Sequence, residues 1–258
     1  MRNQRLLPVL ALGAVLAACA TDPNARPDGS GLNRPEVARS LLDAATMAAA
    51  QGDHATAATY YRNVYLRDPG NSRAALGLMR SLREAGDLDQ ARQVADAVQL
   101  AKPNDAEIQS EVGKVRLAAG QLQPAVATLQ RALELDPADW RARSALGVAH
   151  DRLGDRAKAE ENYRAALVLS PDNPLVLNNL ALSRAMANDL PAARELLQRA
   201  VATSRADLRV RQNLALVYAL SGNMAQAEAL TLQDLPPDLA RETLAYYREL
   251  ANQAGQPR

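Results

Sequence analysis

The chain has 258 residues, and its 30 Lys and Arg nearly balance its 29 Asp and Glu. A formal net charge of +1 gives no strong overall field for nucleic acid or for an anionic membrane surface, so we expect no nucleic-acid partner. With one Trp and no Phe, a core has to be built from Ala, Leu and Val, whose small side chains suit helices packed at close range.

The first predicted element is a signal peptide over residues 1–18. Arg2 and Arg5 precede an apolar run, Leu6 to Ala18, which is shorter than the about 20 residues of a bilayer-spanning helix. The run ends at Cys19, the only cysteine, and a thiol is the side chain best suited to thioether formation. The Leu-Ala-Ala-Cys string resembles the lipobox of bacterial lipoproteins. That resemblance implies cleavage before Cys19 and lipidation of its thiol and of the new amino terminus. The alternative is an ordinary secretory signal, with Cys19 incidental.

A flexible tether is predicted over residues 19–35. Its sequence after the cysteine, ATDPNARPDGSGLNRP, holds three prolines and two glycines and has almost nothing to bury. Such a segment typically spans roughly 20–25 Å. A folded domain would therefore stay close to its lipid anchor.

Residues 36–235 are periodic, with an interval of 34 residues between equivalent positions. One position holds glycine or asparagine, another always alanine, and a third proline in the first four units. The equivalent residues are Gly52, Gly86, Gly120, Gly154, Asn188 and Gly222; Ala57, Ala91, Ala125, Ala159, Ala193 and Ala227; and Pro69, Pro103, Pro137 and Pro171. This period and punctuation resemble the tetratricopeptide repeat (TPR), a helix-turn-helix unit. The six units are 38–71, 72–105, 106–139, 140–173, 174–207 and 208–235.

Each repeated residue type has a physical reason. Glycine or asparagine adopts the left-handed conformation that ends a first helix, and the aspartate that often follows can cap the second. Alanine suits the closest helix crossing, and proline ends the second helix. The predicted fold is therefore all-α: a right-handed superhelix, or α-solenoid, of about six repeats with a C-terminal capping helix and tail at 236–258. Apolar residues expected to cover the end of the stack are Leu239, Leu244, Tyr247 and Leu250. Arg205 stands where the fifth unit lacks its proline.

No catalytic motif is found, so we expect neither an enzyme nor a cofactor. His54 and His150 occupy different repeat positions and share no ligand spacing, which argues against a metal site. Tyr61 and Tyr163 fall at a large core position and are predicted to pack. For Trp140 both packing and an exposed anchor stay open.

The concave groove of first helices is the candidate binding surface. Asn179 and Asn213 are one period apart, with Asn178 and Gln212 beside them, and such amides can form a ladder that donates to and accepts from an extended peptide. Arginines that map to the same groove could pair with carboxylates of a partner. The alternative for both groups is an ordinary solvated helix face. These arginines are Arg73, Arg80, Arg83, Arg141 and Arg209.

Three stretches in the last third of the chain carry a second family resemblance: NNLALSRAMA at 178–187, RVRQNLALV at 209–217, and the tail DLPP at 234–237 with Tyr246 and Tyr247 downstream. They resemble the TadD-like assembly lipoproteins of Flp (Tad) pili. This resemblance implies a pilotin-like factor that helps a secretin reach and assemble in the outer membrane.

Ala20 after Cys19 is similar to lipoproteins released to the outer membrane, so we expect an anchored protein on its periplasmic side. A type IV pilus pilotin and a periplasmic adaptor for proteases or cell-wall enzymes stay open as alternatives. So do the identity of the protein partner and the oligomeric state.

Overall fold

The computed structural model describes residues 35–203 and 207–254, which form thirteen α-helices and no strand. The predicted signal peptide, Cys19, the tether up to residue 34 and Arg205 lie outside the described residues. The helices are α1 (Pro35–Ala50), α2 (His54–Tyr65), α3 (Ser72–Glu84), α4 (Leu88–Ala101), α5 (Ala106–Ala118), α6 (Leu122–Leu135), α7 (Trp140–Arg152), α8 (Arg156–Leu169), α9 (Pro174–Met186), α10 (Leu190–Val201), α11 (Leu208–Leu220), α12 (Met224–Asp234) and α13 (Pro237–Ala254).

The helices stack as an all-α solenoid, as the repeats predict. Each odd-numbered helix from α1 to α11 packs against the next odd-numbered helix as well as against its sequence neighbours. Within the described ranges the even-numbered helices pack only against their sequence neighbours. The odd-numbered helices therefore approach one another more closely and form the inner, concave layer of a curved stack.

The turn inside each unit has the predicted left-handed residue. In the second unit Gly86 has φ +81°, and the N–H of Asp87 donates to the carbonyl of Leu82 over 2.9 Å. The Asp87 carboxylate then accepts from the N–H of Gln90 at the start of α4. Asn188, which replaces glycine in the fifth unit, has φ +64°. The same cap is made by Asp53, Asp155 and Asp189.

Packing between the two helices of a unit depends on small residues. All six repeated alanines are fully buried, so a larger side chain there would force the helices apart. In the fourth unit the Tyr163 ring is 1% exposed and lies over Gly147, where a Cβ would sit 2.6 Å from a ring carbon. The Tyr163 hydroxyl donates to the Asp151 carboxylate over 2.8 Å. The predicted packing role of Tyr163 is confirmed, and Tyr61 is buried in the same way.

The two ends of the described structure differ from expectation in detail. Pro35, assigned to the tether, is the first residue of α1, where its missing N–H removes no helical hydrogen bond. At the other end α13 packs on α11 and α12, the place that a first helix of a further unit would take. Leu244 and Tyr247 are buried there, but Leu239 is 52% exposed and does not cover the stack as predicted. Leu239 lies in the first turn of α13, where the buried position is taken by the next residue, Ala240, which is 0% exposed.

Candidate partner-binding groove

The concave side contains a cavity of about 530 Å³ formed only by first helices. We call it the central groove, and it runs from α3 across α5, α7 and α9 to α11. It is lined by Arg80, Arg83, Glu84, Lys114, Leu117, Ala118, Arg141, Ser144, Ala145, Val148, Arg152, Leu175, Asn179 and Arg209. A second cavity of about 320 Å³, the amide pocket, continues it between α9 and α11. The amide pocket is lined by Pro174, Leu175, Asn178, Asn179, Leu182, Asp207, Arg209, Val210 and Asn213.

A buried carboxylate lies beneath the cations at one end of the central groove. Glu111 of α5 is 0% exposed, and its oxygens lie 2.8 Å from Lys114 Nζ, 3.1 Å from Arg83 Nε and 3.5 Å from Arg80 Nε. Burial by itself would raise the pKa of the Glu111 carboxyl. The positive charges of Lys114 and Arg83 outweigh burial and hold this pKa below its ordinary value, so Glu111 is ionised at neutral pH.

One carboxylate does not balance the cations around it. Arg83 also pairs with Glu84 at 2.6 Å, whereas Arg80 remains 58% exposed. On α7, the Arg141 guanidinium lies 4.4 Å from the Trp140 ring centre, and Arg152 donates to the Leu117 carbonyl over 3.0 Å.

Neither of these α7 arginines has a carboxylate within 4 Å among the residues that the structure describes. Six cations of the central groove therefore face three carboxylates: Glu84, the buried Glu111, and Asp207, which pairs with Arg209.

The amides form two hydrogen-bonded pairs across neighbouring helices. Asn213 Nδ2 donates to Asn178 Oδ1 over 2.7 Å, and Asn179 Nδ2 donates to Ser144 Oγ over 3.1 Å. Each pair is 35 residues apart, so the predicted stacking of residues 34 apart is wrong in register. Successive units are rotated as well as translated, which brings a side chain closest to the neighbour one residue off its own repeat position.

Two predicted groove residues lie elsewhere. Arg73 lines a separate cavity at the α1 end, where it pairs with Asp43 at 3.1 Å. Gln212 does not line the amide pocket; its backbone carbonyl accepts from the Tyr247 hydroxyl, which belongs to α13. One helix position corresponds to a rotation of about 100°, so Gln212 is turned away from the direction in which Asn213 points.

Two cations of the central groove and the carboxylate beneath them were absent from the sequence candidates: Lys114, Arg152 and Glu111. The repeat alignment carried a signal for two of them. Lys114 is one period after Arg80, and Glu111 shares its repeat position with Asn179 and Asn213. A polar residue recurring at an inner position would have indicated the groove. Of the two roles left open for Trp140, the structure shows packing: its half-buried ring contacts the core of the fourth unit, and the Arg141 guanidinium stacks on it.

Within residues 35–203 and 207–254, none of the helices is both long and apolar enough to span a bilayer. The same residues contain no cluster of three or more His, Cys, Asp or Glu arranged to hold a metal ion.

An α-solenoid with a polar concave groove defines a class of protein-interaction scaffold. Tetratricopeptide repeat models match residues 48–113, 113–174 and 145–207, a continuous stretch of more than half of the chain. The chain therefore belongs to the TPR family. A search of curated proteins finds no match.

Solved structures with the same fold include TTC0263, a thermophilic TPR protein of Thermus thermophilus. It is 21% identical, with a TM-score of 0.65 over 70% of this chain and 98% of that one. A chain of the APC/C hetero-tetramer Cut9–Hcn1 is 21% identical, with a TM-score of 0.68 over 84% and 44%. PilF of Pseudomonas aeruginosa is 17% identical, with a TM-score of 0.60 over 86% and 99%. At these identities the similarity concerns the fold.

Proposed function

We propose that this protein is a non-catalytic lipoprotein scaffold whose groove holds an extended segment of a pilus or secretion component during Flp-type pilus assembly. The observation that carries the binding role is the continuity of the central groove with the amide pocket, which share Leu175, Asn179 and Arg209. Such a groove suits an extended chain, because side-chain amides can both donate to and accept from a peptide backbone.

The carbonyl oxygens of Asn179 and Asn213 accept no hydrogen bond from other described residues, although both amino groups donate. Both side chains are only partly buried. They are therefore positioned to accept from backbone N–H groups of a bound segment.

The anchoring and the partner rest on the sequence. The lipobox-like string ending at Cys19 supports attachment by lipid, and Ala20 supports the outer membrane as its site, on the periplasmic side. The resemblance of residues 178–187 and 209–217 to TadD-like lipoproteins supports a pilotin-like role with a secretin as partner. The likeness to PilF adds the fold on which such a role would be built.

A deletion strain tests the function. We expect secretin multimers to be lost from the outer-membrane fraction and restored by the wild-type gene. Cys19→Ser should release the protein from membranes and fail to restore the multimers, while the purified variant keeps the far-ultraviolet circular dichroism of the wild type. Normal multimers in the deletion strain would refute the role.

The partner is identified by crosslinking from the groove. A photoreactive residue in place of Leu175, which is 47% exposed and lines both cavities, should crosslink to the secretin. The same group in place of Leu100, 85% exposed at the end of α4, is the control and should not. Capture of a protease or a cell-wall enzyme from the groove would replace the pilus role by that of a periplasmic adaptor.

A further inference from the structure

We propose that the segment held in the groove is acidic in one half and small and apolar in the other, with a fixed placement. The acidic half lies over α3, α5 and α7, and the apolar half over α9 and α11. This inference rests on the proposed function, since it specifies the chemistry of the segment that the groove binds.

The charge of the groove carries the first half of the inference. The chain as a whole is nearly neutral, yet the central groove collects six cations against three carboxylates, Glu84, Glu111 and Asp207. Glu111 is fully buried beneath them, and its carboxylate is already ion-paired with Lys114 and Arg83. A concave wall with a net positive charge focuses its field into the groove, so an acidic segment is attracted there and its encounter is accelerated.

The opposite end of the groove changes in chemistry. In the amide pocket the cations are replaced by Asn179, Asn213 and the apolar side chains of Leu175 and Leu182, with Arg209 alone carrying positive charge. Arg209 is already paired with Asp207 at 3.3 Å. A carboxylate placed here would be close to less positive charge than over α3 to α7. A peptide backbone with small apolar side chains could hydrogen-bond the amides of Asn179 and Asn213 and pack against Leu175 and Leu182.

A single-stranded nucleic acid is the competing polyanion, and the groove is less suited to it. Strands of this kind are bound by aromatic faces on which bases stack. The residues that line the central groove and the amide pocket include no aromatic side chain. Trp140 lines an adjacent cavity, and one face of its ring is covered by the Arg141 guanidinium.

Fluorescence anisotropy with the full-length protein in detergent tests the composition. The probe is a short peptide with glutamates in one half and alanine and leucine in the other. Its matched control has glutamine for each glutamate. One exposed ion pair contributes about two- to fivefold in affinity, so several together should make the acidic peptide bind at least about tenfold more tightly at low salt. The advantage should shrink as salt is raised.

Charge reversal tests the location. Arg141→Glu with Arg152→Glu should abolish most of the preference for the acidic peptide. The controls are Arg92→Glu with Arg131→Glu on the second helices α4 and α6, which also reverse two exposed arginines and should leave the preference unchanged. If circular dichroism shows that the Arg141→Glu, Arg152→Glu variant does not fold, the preference for the acidic peptide is measured with Arg141→Gln and Arg152→Gln instead.

Photoreactive groups at each end of the acidic peptide test the placement. The acidic end should crosslink to α3, α5 or α7, and the apolar end to α9 or α11. Equal affinity for the glutamine peptide, reversed crosslinks, or tighter binding of an oligothymidine would each overturn the inference. Failure of the acidic peptide to bind, with the secretin still captured at Leu175, overturns this inference and leaves the function in place. Normal secretin multimers in the deletion strain refute only the function.

Discussion

The buried carboxylate of Glu111 gives the sharpest test of how the groove is held together. Changing Glu111→Gln keeps the shape of the side chain but removes the charge that lies 2.8 Å from Lys114 and 3.1 Å from Arg83. The amide can still accept from Arg83, but its NH₂ group then faces the Lys114 ammonium, donor against donor. Removing one partner of a buried ion pair costs about 3–5 kcal/mol of unfolding free energy. For a chain of this size that corresponds to a fall in Tm of about 6–20 °C.

The pH dependence gives this prediction a second readout. The folded-state pKa of Glu111 is below its ordinary value of 4.5. A depressed carboxyl pKa stabilises the folded state fully above the unfolded value, and that contribution is lost as pH falls through the folded value. The gap in stability between wild type and Glu111→Gln should therefore be largest near pH 7 and should narrow below about pH 4.5.

Urea denaturation followed by far-ultraviolet circular dichroism measures the gap at each pH. Hydrogen exchange of α5 and its neighbours locates the loss, since repeats in a solenoid can open separately. Glu84→Gln is the matched control, because Glu84 pairs with the same Arg83 but is 40% exposed, and it should lower stability by about 1 kcal/mol or less. A gap below about 1 kcal/mol at pH 7, or one that does not change on acidification, would refute the assignment of Glu111 as the buried counter-ion.

Three further substitutions test the packing, the caps and the amide pairs. Gly147→Ala should destabilise by about 1–3 kcal/mol, because its Cβ would meet the Tyr163 ring at 2.6 Å; thermal unfolding measures this loss. Asp87→Ala should remove the cap of α4 and lower stability by about 1 kcal/mol in urea denaturation. Asn213→Ala should leave the 8% exposed Asn178 without its hydrogen bond, at about 1–3 kcal/mol, with faster exchange of α9 and α11 amides.

Each of these three has its own check. Gln121 precedes α6 without a side-chain cap, so Gln121→Ala should be nearly neutral where Asp87→Ala is not. Equal losses from the two would contradict the capping argument. For Gly147, an alanine variant as stable as the wild type would show that the Tyr163 ring can move aside. For Asn213, unchanged exchange in α9 would argue that water replaces the lost partner.

The repeat pattern predicted most of the architecture because its residues act locally. A left-handed residue at Gly86 or Asn188 and an acceptor at Asp87 determine where one helix ends and the next begins, whatever lies elsewhere in the chain. The repeated alanines are predictable for a similar reason. They lie within one helix pair, and every pair has the same crossing.

The groove was predicted only in part, because its geometry depends on how neighbouring units are rotated. Asn178, Asn179 and Asn213 were identified as inner residues, but their partners turned out to be one residue off the period. Arg73 was grouped with the other arginines although it lies at the far end. Repeat position gives the direction of a side chain within its own unit and not its distance from side chains of other units.

The amino-acid sequence is enough to predict the all-α solenoid, the helix boundaries near each glycine and aspartate, and a lipid anchor at Cys19. These depend on backbone conformation, capping and short motifs, which are properties of consecutive residues. The stacking of the units, by contrast, buries Glu111 beneath cations from two helices and gathers six cations in one groove of a nearly neutral chain, which the sequence did not predict. Charge segregation of this kind arises from the superhelical stacking of units that are distant in sequence. It is invisible in the composition, because the formal net charge of the whole chain is only +1.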